Sequence, residues 1–346
     1  MAARCLPLAI TVTFLSIIIP VYNAEKTISE CLESIWNQGI SEIDYEVICV
    51  DDCSSDTTLA ILNREREKHK NLRIEINSVN LRAGGARNNG VRVANGEYII
   101  FLDSDDYYHS ESLKKAFEYL KANPDLDILT CNFARELPGK SSSAFVHRYY
   151  SEEKLSLADY ISANHFIPCG PCQWFFKRKL MTDHDIWFRE HTICEDVDWT
   201  HRLVLEAKVI QYQPILLSHY VIDSGSQTGL SYARPANVYA YMAAGKYLYA
   251  LREAYKKIGK EQFLLGVSAG YFLQGLKYYL AMKDALKNKT TFIKEMIPAD
   301  LILPGKWNDV RKFPYFYSLF SNIVSPVVRT ILKLKSRFYC RGIKLD

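Results

Sequence analysis

The sequence predicts an α/β fold built on a doubly wound, mostly parallel, Rossmann-like sheet, and two observations predict it. Short apolar runs alternate with helical patterns of crossover length through the first half of the chain, and two of those runs close directly on paired or tripled carboxylates. Phe14 to Tyr22, FLSIIIPVY, reads as a buried strand closing on a loop at Pro20 to Asn23. An amphipathic helix follows from about Glu25 to Trp36, with Ile28, Leu32, Ile35 and Trp36 on one face. The next strand, Tyr45 to Val50, ends in Asp51 and Asp52, and Ser54 or Ser55 caps a helix running to about His69. A third strand, Leu72 to Ile76, precedes the glycine-bearing segment Asn80 to Gly90, whose helix leads to the apolar run Tyr98 to Leu102.

That last run opens into Asp103, Ser104, Asp105 and Asp106. On an extended chain Asp103 and Asp105 project to the same side, so two carboxylates converge where the sheet stops. Mg2+ and Mn2+ prefer oxygen ligands and retain room for phosphate oxygens, which suits such a terminus to a metal–diphosphate complex. Acidic triplets also serve as helix caps and solvated turns, and Ser110 to Leu120 reads as a helix just downstream. Ligands of open α/β sheets bind beyond the carboxyl ends of the strands, and Asp52, Arg87, Asp103 and Asp105 all fall at or near that edge.

The motifs SIIIPVYNAEKTISECLESIWNQ, EVICVDDCSSDTT, NLRAGGARNNGVRVANGEYIIFLDSDD and CEDVDW resemble those of inverting family 2 glycosyltransferases with the GT-A nucleotide-sugar fold, over about the first 225 residues. The resemblance implies that Asp52 binds the uracil or other base, that Arg87 sits near base and phosphate, that Asp103 faces the ribose and that Asp105 holds the metal, with Asp103 beside it. It also implies a nucleotide pocket framed by Pro20, Tyr22 and Asn23, with Ser104 in the acidic turn and Glu25 as a further candidate. Glu25 equally suits a first-turn carboxylate favourable to the helix dipole. The residue chemistry agrees: a strand-end carboxylate accepts from a ring N–H, and a cation with an arginine nearby stabilises a departing diphosphate. Gly84 and Gly85 are read as permitting close backbone approach to a ligand.

Cys194 to Trp199, CEDVDW, opens a helix that continues through Leu203 and Leu205. Acidic residues at a helix start serve as caps and dipole partners. The resemblance maps Asp196 onto the carboxylate that deprotonates the acceptor hydroxyl, with Glu195 orienting the acceptor or sharing that role. Asp198 reads as structural, pairing with His201 or Arg202. Tyr220 to Gly229, YVIDSGSQTG, corresponds in the family to a loop closing over the diphosphate, which makes Ser224, Ser226 and Gln227 candidates for phosphate contact; Asp223 departs from the family's commoner basic version. His219 is read as a supporting residue.

The chain has 346 residues, 48% of them hydrophobic, and a formal net charge of +4, which argues against a nucleic-acid surface. Nine cysteines, several inside apolar strands or helices, read as buried reduced thiols. Cys169 to Cys172 spells C-G-P-C, but it precedes a strand at Gln173 to Lys177 instead of opening a helix, so neither a redox dithiol nor a zinc site is expected. Leu6 to Ile19 flows into the first strand with no small-residue cleavage site, and no apolar run reaches spanning length, so a cytoplasmic location is expected.

Two domains are expected, residues 1–232 for the nucleotide-sugar domain and 233–346 for a C-terminal helical module with helices at Ala236 to Ala254 and Phe263 to Leu286. Ile323 to Phe338 carries one apolar face flanked by Arg and Lys, which suits an anionic membrane surface and a lipid-linked acceptor; a core helix with a basic solvated face is the alternative. The expected partners are therefore a nucleotide-sugar donor, UDP-linked, and a saccharide or lipid-linked acceptor, with Mn2+ or Mg2+ as cofactor. A non-catalytic nucleotide-sugar sensor is the rival reading, and Glu195 with Asp196 argues against it.

Overall fold

A computed structural model describes residues 13–136, 143–145, 151–164, 167, 170–221 and 235–281. The chain divides into two compact units, residues 1–230 and 231–346. The first unit follows the order β1 (Leu15–Val21), α1 (Ile28–Trp36), β2 (Tyr45–Asp51), α2 (Thr58–Lys68), β3 (Leu72–Ile76), α3 (Arg82–Val93), β4 (Tyr98–Phe101), β5 (Tyr107–Tyr108), α4 (Ser112–Ala122), β6 (Ile128–Glu136), β7 (Ser143–Phe145), α5 (Leu157–Asn164), β8 (Trp174–Lys177), α6 (Lys179–Thr182), α7 (Glu195–Glu206) and β9 (Ile210–Val221). The strands join one sheet in the order β3-β2-β1-β4-β8-β6-β9-β5, with β7 on β6.

The first four strands are mutually parallel, as their βα alternation predicts, and every residue of β1, β2 and β4 is buried. Beyond β4 the sheet changes character. β8 runs antiparallel to both β4 and β6, whereas β6 and β9 pair in parallel over the longest ladder of the fold. The sheet is therefore mixed, its long ladders parallel and its antiparallel contacts short.

The chain passes from β1 outward to β2 and β3, then returns through α3 to β4 on the other side of β1. That reversal makes the switch point between β1 and β4 the place where a crevice opens. Pro20 contributes to the opening. The carbonyl of Val21 accepts from Asp52 N and faces β2, and that of Ile18 accepts from Leu102 N and faces β4. Pro20, alternating with Val21, therefore turns its missing N–H toward the side where β4 has already ended at Phe101. A proline inside a central strand costs no ladder bond there.

At the opposite edge a buried polar knot ties the crossover. Glu46 Oε1 accepts from Ser16 Oγ (2.7 Å) and from Asn95 N (2.6 Å), and Ser16 Oγ accepts from Gly96 N (2.8 Å). The expected cap of α2 shifts: the helix begins at Thr58, and Asp56 Oδ1 accepts from Thr58 N (3.0 Å) in place of Ser54 or Ser55. The helix expected from Glu25 begins at Ile28, after a turn.

The second unit contains α8 (Pro235–Ala250), α9 (Arg252–Lys257) and α10 (Glu261–Ala281). The helix expected to run to Ala254 breaks at Leu251, whose N–H tightens onto Leu248 O (3.0 Å). Gly245 lets α8 approach α10, since a Cβ there would lie 2.9 Å from the Phe272 ring. Among the described residues no helix is long and apolar enough to cross a membrane. The expected helix at Ile323 to Phe338 lies outside them.

Gly90 of α3 packs onto β1, and a Cβ there would meet Ile18 Cγ2 at 2.3 Å. Gly90→Ala should therefore destabilise the first unit by about 1–3 kcal/mol, seen as a lower denaturant midpoint at unchanged slope. An unchanged midpoint would show that β1 yields without cost.

Candidate active site

The site forms where β1, β2 and β4 end, with α3 laid beside them and α7 entering from the far side. After β2, Asp52 is buried and its Oδ1 accepts from Asn77 Nδ2 (2.7 Å) and Leu81 N (2.9 Å). No hydrogen bond reaches its other oxygen among the described residues. Asn23 stands at φ 50° and is laced to the loop after β2: its N–H donates to Ser54 Oγ (2.9 Å) and its Oδ1 accepts from Ser55 N (2.8 Å). Tyr22 beside it is exposed, at 53%. Glu25 Oε2 accepts from Thr57 N (3.1 Å) and Thr57 Oγ1 (2.7 Å), so it is engaged at the start of α2.

The acidic segment is a turn. Asp106 N donates to Asp103 O (3.0 Å), so the backbone turns here in place of the extended geometry expected for Asp103 and Asp105. Asp103 is partly buried and faces Arg87, Ser104 is partly buried, Asp105 is exposed and Asp106 is buried. Asp106 Oδ1 accepts from Val221 N at the end of β9 (3.0 Å). Burial, with Asp103 and Asp105 close by, holds the Asp106 carboxyl well above the usual carboxylate range.

Arg87 joins the two acidic motifs. Its Nη2 donates to Asp103 Oδ1 (2.6 Å) and its Nη1 to Glu195 Oε1 (2.8 Å), 16 and 108 residues away in the chain. The guanidinium rests over the rings of Phe101 (5.8 Å) and Phe188 (5.5 Å). Phe188 stacks on Trp199 of α7 (4.3 Å), and Trp199 also meets Phe101 and Phe176 edge-on. This aromatic box fixes the first turn of α7 against β4. Desolvation works against the Arg87 charge, and Asp103 and Glu195 more than offset it.

The segment leading into α7 is held by α3. Asn88 Nδ2 donates to Phe188 O (2.9 Å) while Phe188 N donates to Asn88 Oδ1 (2.9 Å), and His191 N donates to Leu81 O (3.0 Å). A Cβ on Gly84 would lie 2.8 Å from Arg189 O and 2.9 Å from Glu195 Cγ. Gly84 thus admits the protein's own segment, where the sequence reading expected a ligand; Gly85 similarly faces Leu81 and Glu190.

At the start of α7, Asp198 pairs with Arg189 (2.8 Å) and Arg202 (3.3 Å). His201, the other expected partner, is fully buried and held down to about 3 by that burial. Asp196 carries no ion pair among the described residues. Desolvation, with Glu195 adding and Arg87 opposing, lifts its carboxyl to about 8.

Cys172 lies in a 3-10 turn, Pro171–Gln173, ahead of β8; burial raises its thiol, with Asp103 adding and Arg87 opposing. That is the reverse of a redox-active thiolate. Cys169, Ser224, Ser226 and Gln227 lie outside the described residues. Cys31, Cys49 and Cys131 are buried free thiols. His219 is held by Glu136 (2.8 Å) and His109 (3.0 Å) and stacks on Tyr107 (4.6 Å), just past the acidic turn. Asn77 and Asn88 carry no expectation from the sequence: Asn88 lies within the glycine-bearing motif beside Arg87, and Asn77 lies outside every motif.

A divalent cation fits the donor set. Carboxylate oxygens of Asp103 and Asp105 are hard ligands of the kind Mn2+ or Mg2+ takes, although among the described residues no group of three or more His, Cys, Asp or Glu is gathered to hold an ion.

Residues 16–182 match the family model described as Glycosyl transferase family 2. The chain is 36% identical over 231 residues to a poly(ribitol-phosphate) beta-glucosyltransferase of Bacillus spizizenii, covering 66% of this chain and 35% of that protein. It is 29% identical over 232 residues to the poly(ribitol-phosphate) beta-N-acetylglucosaminyltransferase TarS of Staphylococcus aureus, covering 66% of this chain and 39% of that one. The chain thus spans little more than a third of these relatives. The crystal structure of S. aureus TarS 1-349 in complex with UDP-GlcNAc superposes with a TM-score of 0.59 at 23% identity, over 89% of this chain and 80% of that one. The mannosyltransferase PcManGT of Pyrobaculum calidifontis, in complex with GDP-Man and Mn2+, superposes at 0.50 and 17% identity, over 88% and 85%.

Asn88→Ala orphans both backbone groups of Phe188 and should cost roughly 1–3 kcal/mol for each, lowering the thermal midpoint and freeing the entry to α7. Unchanged amide-exchange protection at Phe188 would show that another contact holds the segment. The parallel half-sheet, the switch-point cleft and the matched segment together place residues 16–182 among the family 2 glycosyltransferases, in a sheet of the GT-A fold.

Proposed function

We propose that the chain transfers a sugar from a UDP-linked donor to a hydroxyl of a cell-surface polysaccharide, a polyol-phosphate polymer of the kind named for its relatives, with inversion at the anomeric carbon. One observation carries the reading: Glu195 is committed to Arg87, whereas its neighbour Asp196 stands at the cleft without an ion pair among the described residues and is lifted to about 8. That division suits Asp196 to take a proton.

In this reading Asp52 accepts from the base N–H through its open oxygen, with Pro20, Tyr22 and Asn23 framing the base. Asp103 accepts from a ribose hydroxyl. Glu25 serves the start of α2 instead of the nucleotide. Asp105, with Asp103 near it, would hold Mn2+ or Mg2+, which when bound neutralises charge on the leaving diphosphate. Asp196 accepts the proton of the acceptor hydroxyl as its oxygen bonds to the anomeric carbon, and UDP leaves from the opposite face with the electron pair of the broken bond. The packed rings of Phe101, Phe188 and Trp199 back the Arg87 guanidinium that holds Glu195.

Only the ionised Asp196 can accept a proton, so kcat/KM should rise with pH and level off above about 8. Asp196→Asn should lower turnover about a hundred- to ten-thousand-fold while leaving UDP affinity in place. Loss of UDP binding in that variant would move Asp196 into the nucleotide pocket.

Asp105→Ala should abolish the Mn2+ dependence of UDP binding, measured by calorimetry with and without the metal, at an unchanged thermal midpoint. Undiminished metal-dependent binding would remove Asp105 from the ligand set.

A further inference from the structure

The Arg87 guanidinium is turned onto protein groups. It is 4% exposed, both terminal nitrogens are occupied by carboxylates, and Phe101 and Phe188 lie against it. Among the described residues its buried Nε finds no hydrogen-bond partner. A side chain shaped for bidentate recognition of phosphate is thus spent on two protein carboxylates, one from each acidic motif. Gly84, one turn earlier on α3, leaves the space that brings Glu195 within reach.

We propose that Arg87 is a positioning residue and not a donor contact: it holds the acidic turn after β4 and the start of α7 in register, and by binding Glu195 it leaves Asp196 as the base. Resting on the glycosyl-transfer reading above, this makes the two neighbouring carboxylates unequal by design of the fold. Without Arg87, Glu195 and Asp103 would each stand as an uncompensated charge beside Asp196, and the first turn of α7 would lose its tie to β4.

The test is a double-variant cycle on the full chain with Arg87→Met, Glu195→Gln and the pair together, read by thermal midpoint, by affinity for UDP with Mn2+, and by turnover of UDP-N-acetylglucosamine. Arg87→Met is expected to lose turnover about a hundredfold and to lower the midpoint, with UDP affinity kept within about threefold. The double variant is expected to regain midpoint and about tenfold in turnover over Arg87→Met, because one of the two orphaned charges, the one beside Asp196, has gone. UDP affinity falling in step with turnover, with no recovery in the double variant, would make Arg87 a donor contact and overturn the proposal. Should Arg87→Met fail to fold, Arg87→Lys, which keeps the charge and loses the fork, is expected to show the same split between turnover and UDP affinity. A wild-type chain with no turnover on any nucleotide sugar would sink the glycosyl-transfer reading alone, since recovery of the thermal midpoint in the double variant still decides the role of Arg87.

Discussion

A buried guanidinium cannot remain unpaired, and the site is organised around that constraint. Arg87 lies at the junction of α3, β4 and α7, where the energetic penalty on an isolated charge is severe unless carboxylates reach it with good geometry. Asp103 and Glu195 supply those carboxylates from positions far apart in the chain. Once both are engaged, the acidic turn after β4 and the first turn of α7 share one anchor. The aromatic box of Phe101, Phe176, Phe188 and Trp199 completes it, with Phe101 and Phe188 lying against the guanidinium.

The helix α3 distributes these constraints along its length. Leu81 at its start donates to Asp52, Gly84 admits Glu195, Arg87 bridges the acids, Asn88 clasps Phe188, Asn89 donates to Asn77, and Gly90 seats the helix on Ile18. Helical periodicity explains the pattern, because residues three and four apart share a face and adjacent ones do not. One face meets the sheet and the other meets the segment entering α7. A motif dense in glycine and asparagine, poor as a helix by propensity, is kept helical by these tertiary partners.

The connecting segments carry the strain. Asn23, Cys53, Arg82, His191 and Cys194 all hold positive φ without being glycine, and they sit in the turns after β1, β2 and β3 and in the segment before α7. Such conformations persist only where neighbouring hydrogen bonds over-determine them, as Ser54 and Ser55 do for Asn23. The cleft rim is thereby fixed before any ligand arrives.

Local sequence determined the elements whose signals are local. Continuous apolar runs made β1, β2 and β4 legible, and the acids at Glu195 to Asp198 marked the start of α7, because burial and capping act within a few residues. The clustering of Asp52, Arg87, Asp103 and Asp105 at one sheet edge followed from strand order alone. Tertiary structure alone decided the antiparallel insertion of β8 beside β4 and the burial of Asp106 against Val221. It also assigned Glu25 to Thr57, Glu195 to Arg87, and Gly84 to the protein's own backbone. In each of these cases the partner lies tens of residues away, and a side chain's charge state and direction are set by what is packed against it.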